Sequence, residues 1–303
     1  MKYADVLTRA DALLTKRGIS GHTAADRFVK DFKAYLVYYD ALGFGDAERT
    51  VSLLEDDSNL TDSSILNTNF RCKLSDLISK ELKSDGIFPE LFRILLDNNG
   101  KGVGAGELAL PLILSNYRFS NESDGVFDGD KKVEIKKGGA SLKPVKTGLT
   151  EKGLVDELNR RYWNGTVPGK ASKLFKKHVE SVADPSTYGE YFKELYVGCD
   201  TSTLTEEVVS GAYLDPIKFN TAVGKFALRE YQKVDGWNNI IYIDAGDATK
   251  KPTTKAGQRA LDPEVVNIAN VNDVDTLDLK FKPVMARNRD TQAIADGYVN
   301  VVI

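Results

Sequence analysis

Asp128-Gly129-Asp130 separates two short apolar runs, Gly125-Val-Phe and Val133-Glu-Ile. An Asp-Gly pair between strand-forming runs is a strong hairpin signal, because the tight turns that join paired strands need positive φ at their central residues. Side chains alternate faces along a strand. Glu134 and Lys136 therefore share one face, while Val133 and Ile135 bury the other. With the turn centred on 128–130, Asp124 at the start of the partner strand stands almost opposite Glu134. Two carboxylates and an ammonium meet at one spot. Carboxylates this close repel unless something positive neutralises them. A divalent cation does so, and oxygen donors of this kind suit magnesium, with manganese as a substitute. The bland alternative is a solvated cross-strand ion pair on an edge hairpin, worth little. Asp128 and Asp130 read as turn residues.

Upstream, glycines at 100, 102, 104 and 106 rule out a helix across that stretch. A helix is expected to start near Gly106 and to carry Glu107, with Pro111 in its first turns. A carboxylate at a helix start is favoured by the helix dipole, and from there Glu107 reaches a metal or a metal-bound water.

Residues 1–97 read as a helical N-terminal region. Phe28, Phe32, Leu36 and Tyr39 recur at helical spacing. Ser75–Leu82 and Pro89–Leu96 predict two more helices, with Pro89 in a favourable first-turn position, and the polar stretch Glu55–Asn69 predicts a loop. Residues 98–303 are expected to form the second region, an α/β core with a basic helical insertion over about 150–215. Thr221–Lys233 predicts a helix and Gly236–Asp244 a buried strand. Ala245–Pro263 predicts a long loop, and Thr276–Val284 and Tyr298–Ile303 predict strands.

Two cysteines, Cys72 and Cys199, and two histidines, His22 and His178, are too few and too scattered for a disulfide framework or a zinc cluster. Both histidines read as surface or boundary residues. Their scarcity argues against Cys-His or Ser-His chemistry and turns attention to carboxylates and lysines. The first nine residues do not show the apolar core expected of a signal peptide, and no apolar run nears 18 residues, which leads to the expectation of a cytoplasmic protein with no membrane partner.

Net charge is −3, yet residues 137–177 carry ten Lys/Arg against three Asp/Glu, a local excess of +7. A solvated helix face explains such a run; so does a patch for a polyanion. Lys137, Lys143 and Lys146 follow the hairpin directly, and Arg160, Arg161, Lys173 and Lys176 extend the track. Beside the carboxylate and lysine cluster, these residues are candidates to meet nucleic-acid phosphates.

Gly-Glu107, Asp124 and then Glu134-Ile-Lys136 together resemble the PD-(D/E)XK nuclease superfamily, which includes restriction endonucleases. Gly104-Ala-Gly-Glu107, followed by Glu134-Ile-Lys-Lys-Gly-Gly-Ala, is most similar to nuclease-like proteins of tailed bacteriophages. The resemblance covers roughly residues 100–145, with weaker support over 221–244. Ser123 stands where the family pattern often has proline. The resemblance implies a restriction-endonuclease-like fold, with a mixed central sheet flanked by helices. It implies Asp124, Glu134 and the carbonyl of Ile135 as metal ligands, Lys136 as the catalytic lysine and Glu107 as the auxiliary acid. The expected activity is magnesium-dependent DNA endonuclease hydrolysis, in the host cytoplasm if the chain is phage-encoded. Cutting both strands from one site per chain calls for a homodimer. The alternative is a non-catalytic DNA-binding or virion structural protein that keeps the nuclease fold. Two further matches are set lower: Glu81-Leu-Lys83, in a helical stretch, and Asp278-Leu-Lys280, near Asp273 and Asp275 but without a partner hairpin.

Overall fold

The computed structural model describes residues 3–98, 103–104, 106–137, 141–142, 225–226, 228–229, 231–233, 235–244, 252–257, 260–275, 280–287 and 294–302. The chain divides into two compact units, one holding residues 1–138, 237–273 and 303, the other 139–236 and 274–302.

In the first unit, helices α1 (Ala4–Lys16), α2 (Asp26–Ala41) and α3 (Ala47–Glu55) come first. The α2 stripe of Phe28, Phe32, Leu36 and Tyr39 is fully buried, as its spacing predicts. Short strands β1 (Thr61–Asp62) and β2 (Phe70–Lys73) follow, then α4 (Lys80–Ser84) and α5 (Phe88–Leu96). Pro89 sits in the first turn of α5. The single helix expected over Ser75–Leu82 is broken into a 3-10 turn, Leu74–Leu77, and α4. Two local caps break it: the Asp76 carboxylate accepts the Lys73 N–H at 3.0 Å, and Ser79 Oγ accepts the Leu82 N–H at 3.2 Å. Glu81 and Lys83 are exposed on α4, the ordinary surface pair expected of them.

Strands β3 (Leu114–Ser115), β4 (Tyr117–Arg118), β5 (Gly125–Phe127) and β6 (Lys131–Lys137) come next. β7 (Ser141–Leu142) belongs to the second unit. β8 (Asn239–Asp244) and β9 (Asn267–Val271) return to the first. The central sheet has six strands in the order β2-β9-β8-β6-β5-β4. β6 and β8 run parallel and every other neighbouring pair is antiparallel, so the protein is mixed α/β with a mixed sheet. β1 and β3 form a separate parallel pair.

One sheet face joins the helices in a single core that includes Phe127, Val133, Ile135, Ile241, Ile243 and Ile268. The boundary expected near residue 97 therefore does not part helices from sheet. β2, inside the region read as helical, is an edge strand of that sheet, and the loop expected over Glu55–Asn69 carries β1 and two 3-10 turns. A polar clip ties the sheet to the second of these turns. Asn270 Nδ2 donates to the carbonyls of Leu66 at 3.0 Å and Thr68 at 2.7 Å, and Asn239 Nδ2 donates to Leu66 at 2.5 Å.

Asp85 organises the approach to α5. Its buried Oδ1 accepts the N–H groups of Ile87 at 3.0 Å and Phe88 at 2.8 Å and the Thr50 hydroxyl at 2.8 Å. Asp85→Ala leaves three donors unmet in the interior. It is expected to lower stability by about 3 kcal/mol, read from the midpoint of chemical denaturation.

In the second unit, β10 (Lys280–Arg287) and β11 (Ile294–Val302) pair antiparallel, and β7 adds to β11. Both tail strands were expected, with β10 beginning later and β11 earlier than the alternation predicts. Pro283 is tolerated because β10 lies at the edge. Of the helix expected over Thr221–Lys233, the described residues 225–226, 228–229 and 231–233 are helical. The helical stretch expected over 150–196, with His178 and Cys199, lies outside the described residues. Among the described residues, no helix is long and apolar enough to cross a membrane.

Candidate active site

The hairpin turns where the Asp-Gly pair predicts. Asp128 and Gly129 have φ of 49° and 90°, and Phe127 pairs with Lys131 across the three-residue connection. Gly125 pairs with Val133, so one further step brings Asp124 opposite Glu134. The Asp124 side chain takes over where the ladder stops, its Oδ2 accepting the Ile135 N–H at 2.7 Å. Val133 and Ile135 are buried on the core face. Glu134 and Lys136 share the other face as an ion pair, with side chains 17% and 27% exposed.

Glu107 reaches this spot by a different route from the one expected. Residues 106–109 form a turn and Leu110–Leu112 one 3-10 turn, with no α-helix. Gly106 is left-handed at φ +87°, and Pro111 has no N–H to carry a helix onward. The helix dipole therefore does not hold Glu107. Its Oε1 instead accepts the Gly104 N–H at 2.6 Å. The alternating glycines make this approach possible. A Cβ on Gly104 would stand 2.6 Å from Glu107 Oε1, and one on Gly106 would stand 2.4 Å from Ile243 Cδ1.

The three carboxylates feel one another. Burial pushes Glu107 up to about 7, and the Asp124 charge adds to the shift against the opposing pull of the Gly104 N–H and Lys136. Burial also raises Asp124, as does Glu134, while the Ile135 N–H and Lys136 pull it back. Two tyrosines border the group. Tyr117 is held well above its ordinary value by burial and by Asp124 and Glu107, Tyr242 by burial and by Glu134. Among the described residues, neither hydroxyl has a hydrogen-bond partner.

The donor set fits a hard divalent cation in kind, since it is all oxygen and its members raise each other's proton affinity. It is not closed as it stands. Among the described residues, no three His, Cys, Asp or Glu side chains are gathered to hold a metal ion. Each carboxylate is tied elsewhere: Glu107 to Gly104, Asp124 to Ile135 and Glu134 to Lys136. Ile135 follows Glu134 on β6, and its N–H is the one that Asp124 accepts.

Of the residues expected to meet a polyanion, Lys137 ends β6 and its side chain lies outside the described residues. Lys143, Lys146, Arg160, Arg161, Lys173 and Lys176 also lie outside them, as does Asp278 of the competing match. Asp275 is paired with Arg229. Two cations that the sequence reading passed over share the Glu134 face. Arg118 pairs with Val126, and Val126 with Lys132, in one row across β4, β5 and β6. Both line a cleft of about 450 Å³ with His22, Ser120 and Glu122. Neither makes an ion pair with another described residue. Lys132 was within reach of the alternation that placed Glu134 and Lys136. Tyr117 and Arg118 were not, because β4 is two residues long.

No family model, curated protein or solved structure matches this chain.

Proposed function

We propose that this chain is a magnesium-dependent DNA endonuclease with a restriction-endonuclease-like core. The observation that carries the reading is the hairpin register, which sets Asp124 against Glu134 with Lys136 on the same face and Glu107 within electrostatic reach. Asp124, Glu134, Glu107 and the carbonyl of Ile135 are the groups that would hold the ion. A bound magnesium supplies Lewis acidity toward a phosphate oxygen and acidifies water. Lys136, released from Glu134, directs its ammonium toward the attacking water and the charge growing on the phosphate. Glu107, whose carboxyl feels the Asp124 charge, would serve as the auxiliary acid of the set. Arg118 and Lys132 hold flanking phosphates of the strand.

The test is a cleavage assay on supercoiled, linear, single-stranded and four-way-junction DNA with magnesium or manganese. Metal-dependent scission is expected, with calcium supporting binding but not cutting. Intact DNA in every case rejects the reading. Arg118→Ala with Lys132→Ala is expected to flatten the salt dependence of DNA affinity, lowering the slope of log K against log salt by about 2. Filter binding across a salt series reads this directly, and an unchanged slope removes the two cations from the interface.

One observation favours a second reading, a DNA-binding or virion structural protein that keeps the fold without the reaction: the Lys136–Glu134 ion pair occupies the acid that a metal would need. A manganese titration separates the two, since a retired site has no affinity for the ion.

A further inference from the structure

The ribbon of β4, β5 and β6 carries a cleft on the same face as the acidic hairpin. Arg118, Val126 and Lys132 form one row across it, and alternation along β6 puts Lys132 on the face of Glu134. Lys132 lies two residues before Glu134, roughly 7 Å along the strand, about one step between neighbouring phosphates of a nucleic-acid backbone. Arg118 lies two strands from Lys132, roughly 10 Å away. A second wall is built by close approach of two backbones. The Phe119 N–H donates to the Arg17 carbonyl at 2.9 Å, and a Cβ on Gly18, at φ +72°, would stand 2.4 Å from the Phe119 carbonyl oxygen. The rings of His22 and Phe119 meet edge to face, with centroids 5.2 Å apart. Ser120 Oγ accepts the Glu122 N–H at 3.3 Å and shapes the loop beyond. The cleft that these elements line measures about 450 Å³.

The lining is mixed in charge. Arg118 and Lys132 make no ion pair with another described residue, while Glu122 and Asp130 add two carboxylates. A bare phosphate would be drawn by one half of this set and repelled by the other. A nucleotide matches both halves. Its phosphates suit the two cations, and the amino groups of its base suit Glu122, Asp130 and Asn121. His22 adds an aromatic ring of the kind on which bases stack. In a duplex the pairing edge of a base is turned to its partner, and a cleft of this size has no room for a second backbone. We infer that the cleft is a subsite for one unpaired nucleotide beside the phosphate to be cut, so that the preferred substrate is single-stranded DNA or a duplex with a single-stranded tail. The inference rests on the nuclease reading, whose substrate class it narrows.

The experiment measures the affinity of the full-length chain, in calcium, for a fluorescent single-stranded oligonucleotide and for the blunt duplex of the same sequence. The single strand is expected to bind about tenfold more tightly, the scale of one stacked base. Ser120→Leu fills the cleft and His22→Ala removes its ring. Each is expected to bring single-strand affinity down to about that of the duplex, with duplex affinity unchanged, because Arg118 and Lys132 remain. If Ser120→Leu weakens both ligands alike through a damaged fold, His22→Ala, which opens space instead of filling it, decides. Equal affinity of the parent for both ligands, or a preference that survives in both variants, overturns the subsite and leaves the nuclease reading to its own cleavage assay. A single-strand preference that the variants abolish, in a chain that leaves every DNA intact with magnesium, overturns the nuclease reading and with it the place of the cleft beside a cut phosphate.

Discussion

Glu134→Gln is expected to lower magnesium-dependent DNA cleavage by at least about a thousandfold. The change keeps the shape of the side chain and removes its charge, so it cannot act by emptying the core. Glu134 and Lys136 are both partly exposed, and the loss of such an ion pair costs less than about 1 kcal/mol of stability. Activity should therefore collapse while the melting curve barely moves. Lys136→Met is expected to behave alike in cleavage, for a different reason: the ion still binds, but the ammonium that steers the water is missing. Manganese calorimetry separates the two, with affinity lost in the first variant and kept in the second. Cleavage that survives in both variants would remove the hairpin from the chemistry.

Glu107→Gln carries the second large effect, this one on stability. The folded chain holds the Glu107 carboxyl at about 7 against an ordinary 4.5, chiefly through burial and then through the neighbouring Asp124 charge. Below pH 4.5 the group is protonated in folded and unfolded chain alike, and its contribution to stability is fully present. Between 4.5 and about 7 only the unfolded chain gives up the proton, so stability falls as pH rises. Above 7 the loss is complete, about 3 kcal/mol. Asp124, also raised, adds in the same direction. Glutamine stays neutral and keeps an oxygen for the Gly104 N–H. The variant should be more stable than the parent by about 3 kcal/mol at pH 8 and nearly equal to it at pH 4.5. Denaturation at both pH values checks this, and parallel pH profiles would contradict it. Magnesium at pH 8 should raise the midpoint of the parent more than that of the variant, because a ligand of the folded state stabilises what it binds.

The site was more legible than the route to it. Asp128-Gly129 fixed a turn whose chemistry admits few residues, and strand alternation then placed Asp124, Glu134 and Lys136 without further information. Helix α2 was equally plain, because four large apolar residues at helical spacing leave one way to bury them. Glu107 was found as a residue but not as a conformation. Its apolar neighbours suggest a helix, and the left-handed Gly106 that prevents one is set by close packing on Ile243 and Leu96. β2 and β4 escaped for another reason. Strands of four and two residues hold too little periodicity to read, and only their partners in space make them strands. Asn270 shows the same limit from the polar side: its amide is buried because carbonyls 202 and 204 positions away need it.

That span has a consequence for how the protein is made. The middle of the sheet joins β6 to β8, and β9 then captures β2, so pairing must wait for residues near 271 to be synthesised. Until then β6 has a bare edge on the side that β8 will take, a template for association with other nascent chains. Such a topology, rich in distant pairings, folds slowly compared with a helical bundle of similar size. A chain cut short after the hairpin would keep the acidic residues in sequence yet have neither β8 nor β9 to seat them. The candidate site is thus seated only once the residues near 271 have been made.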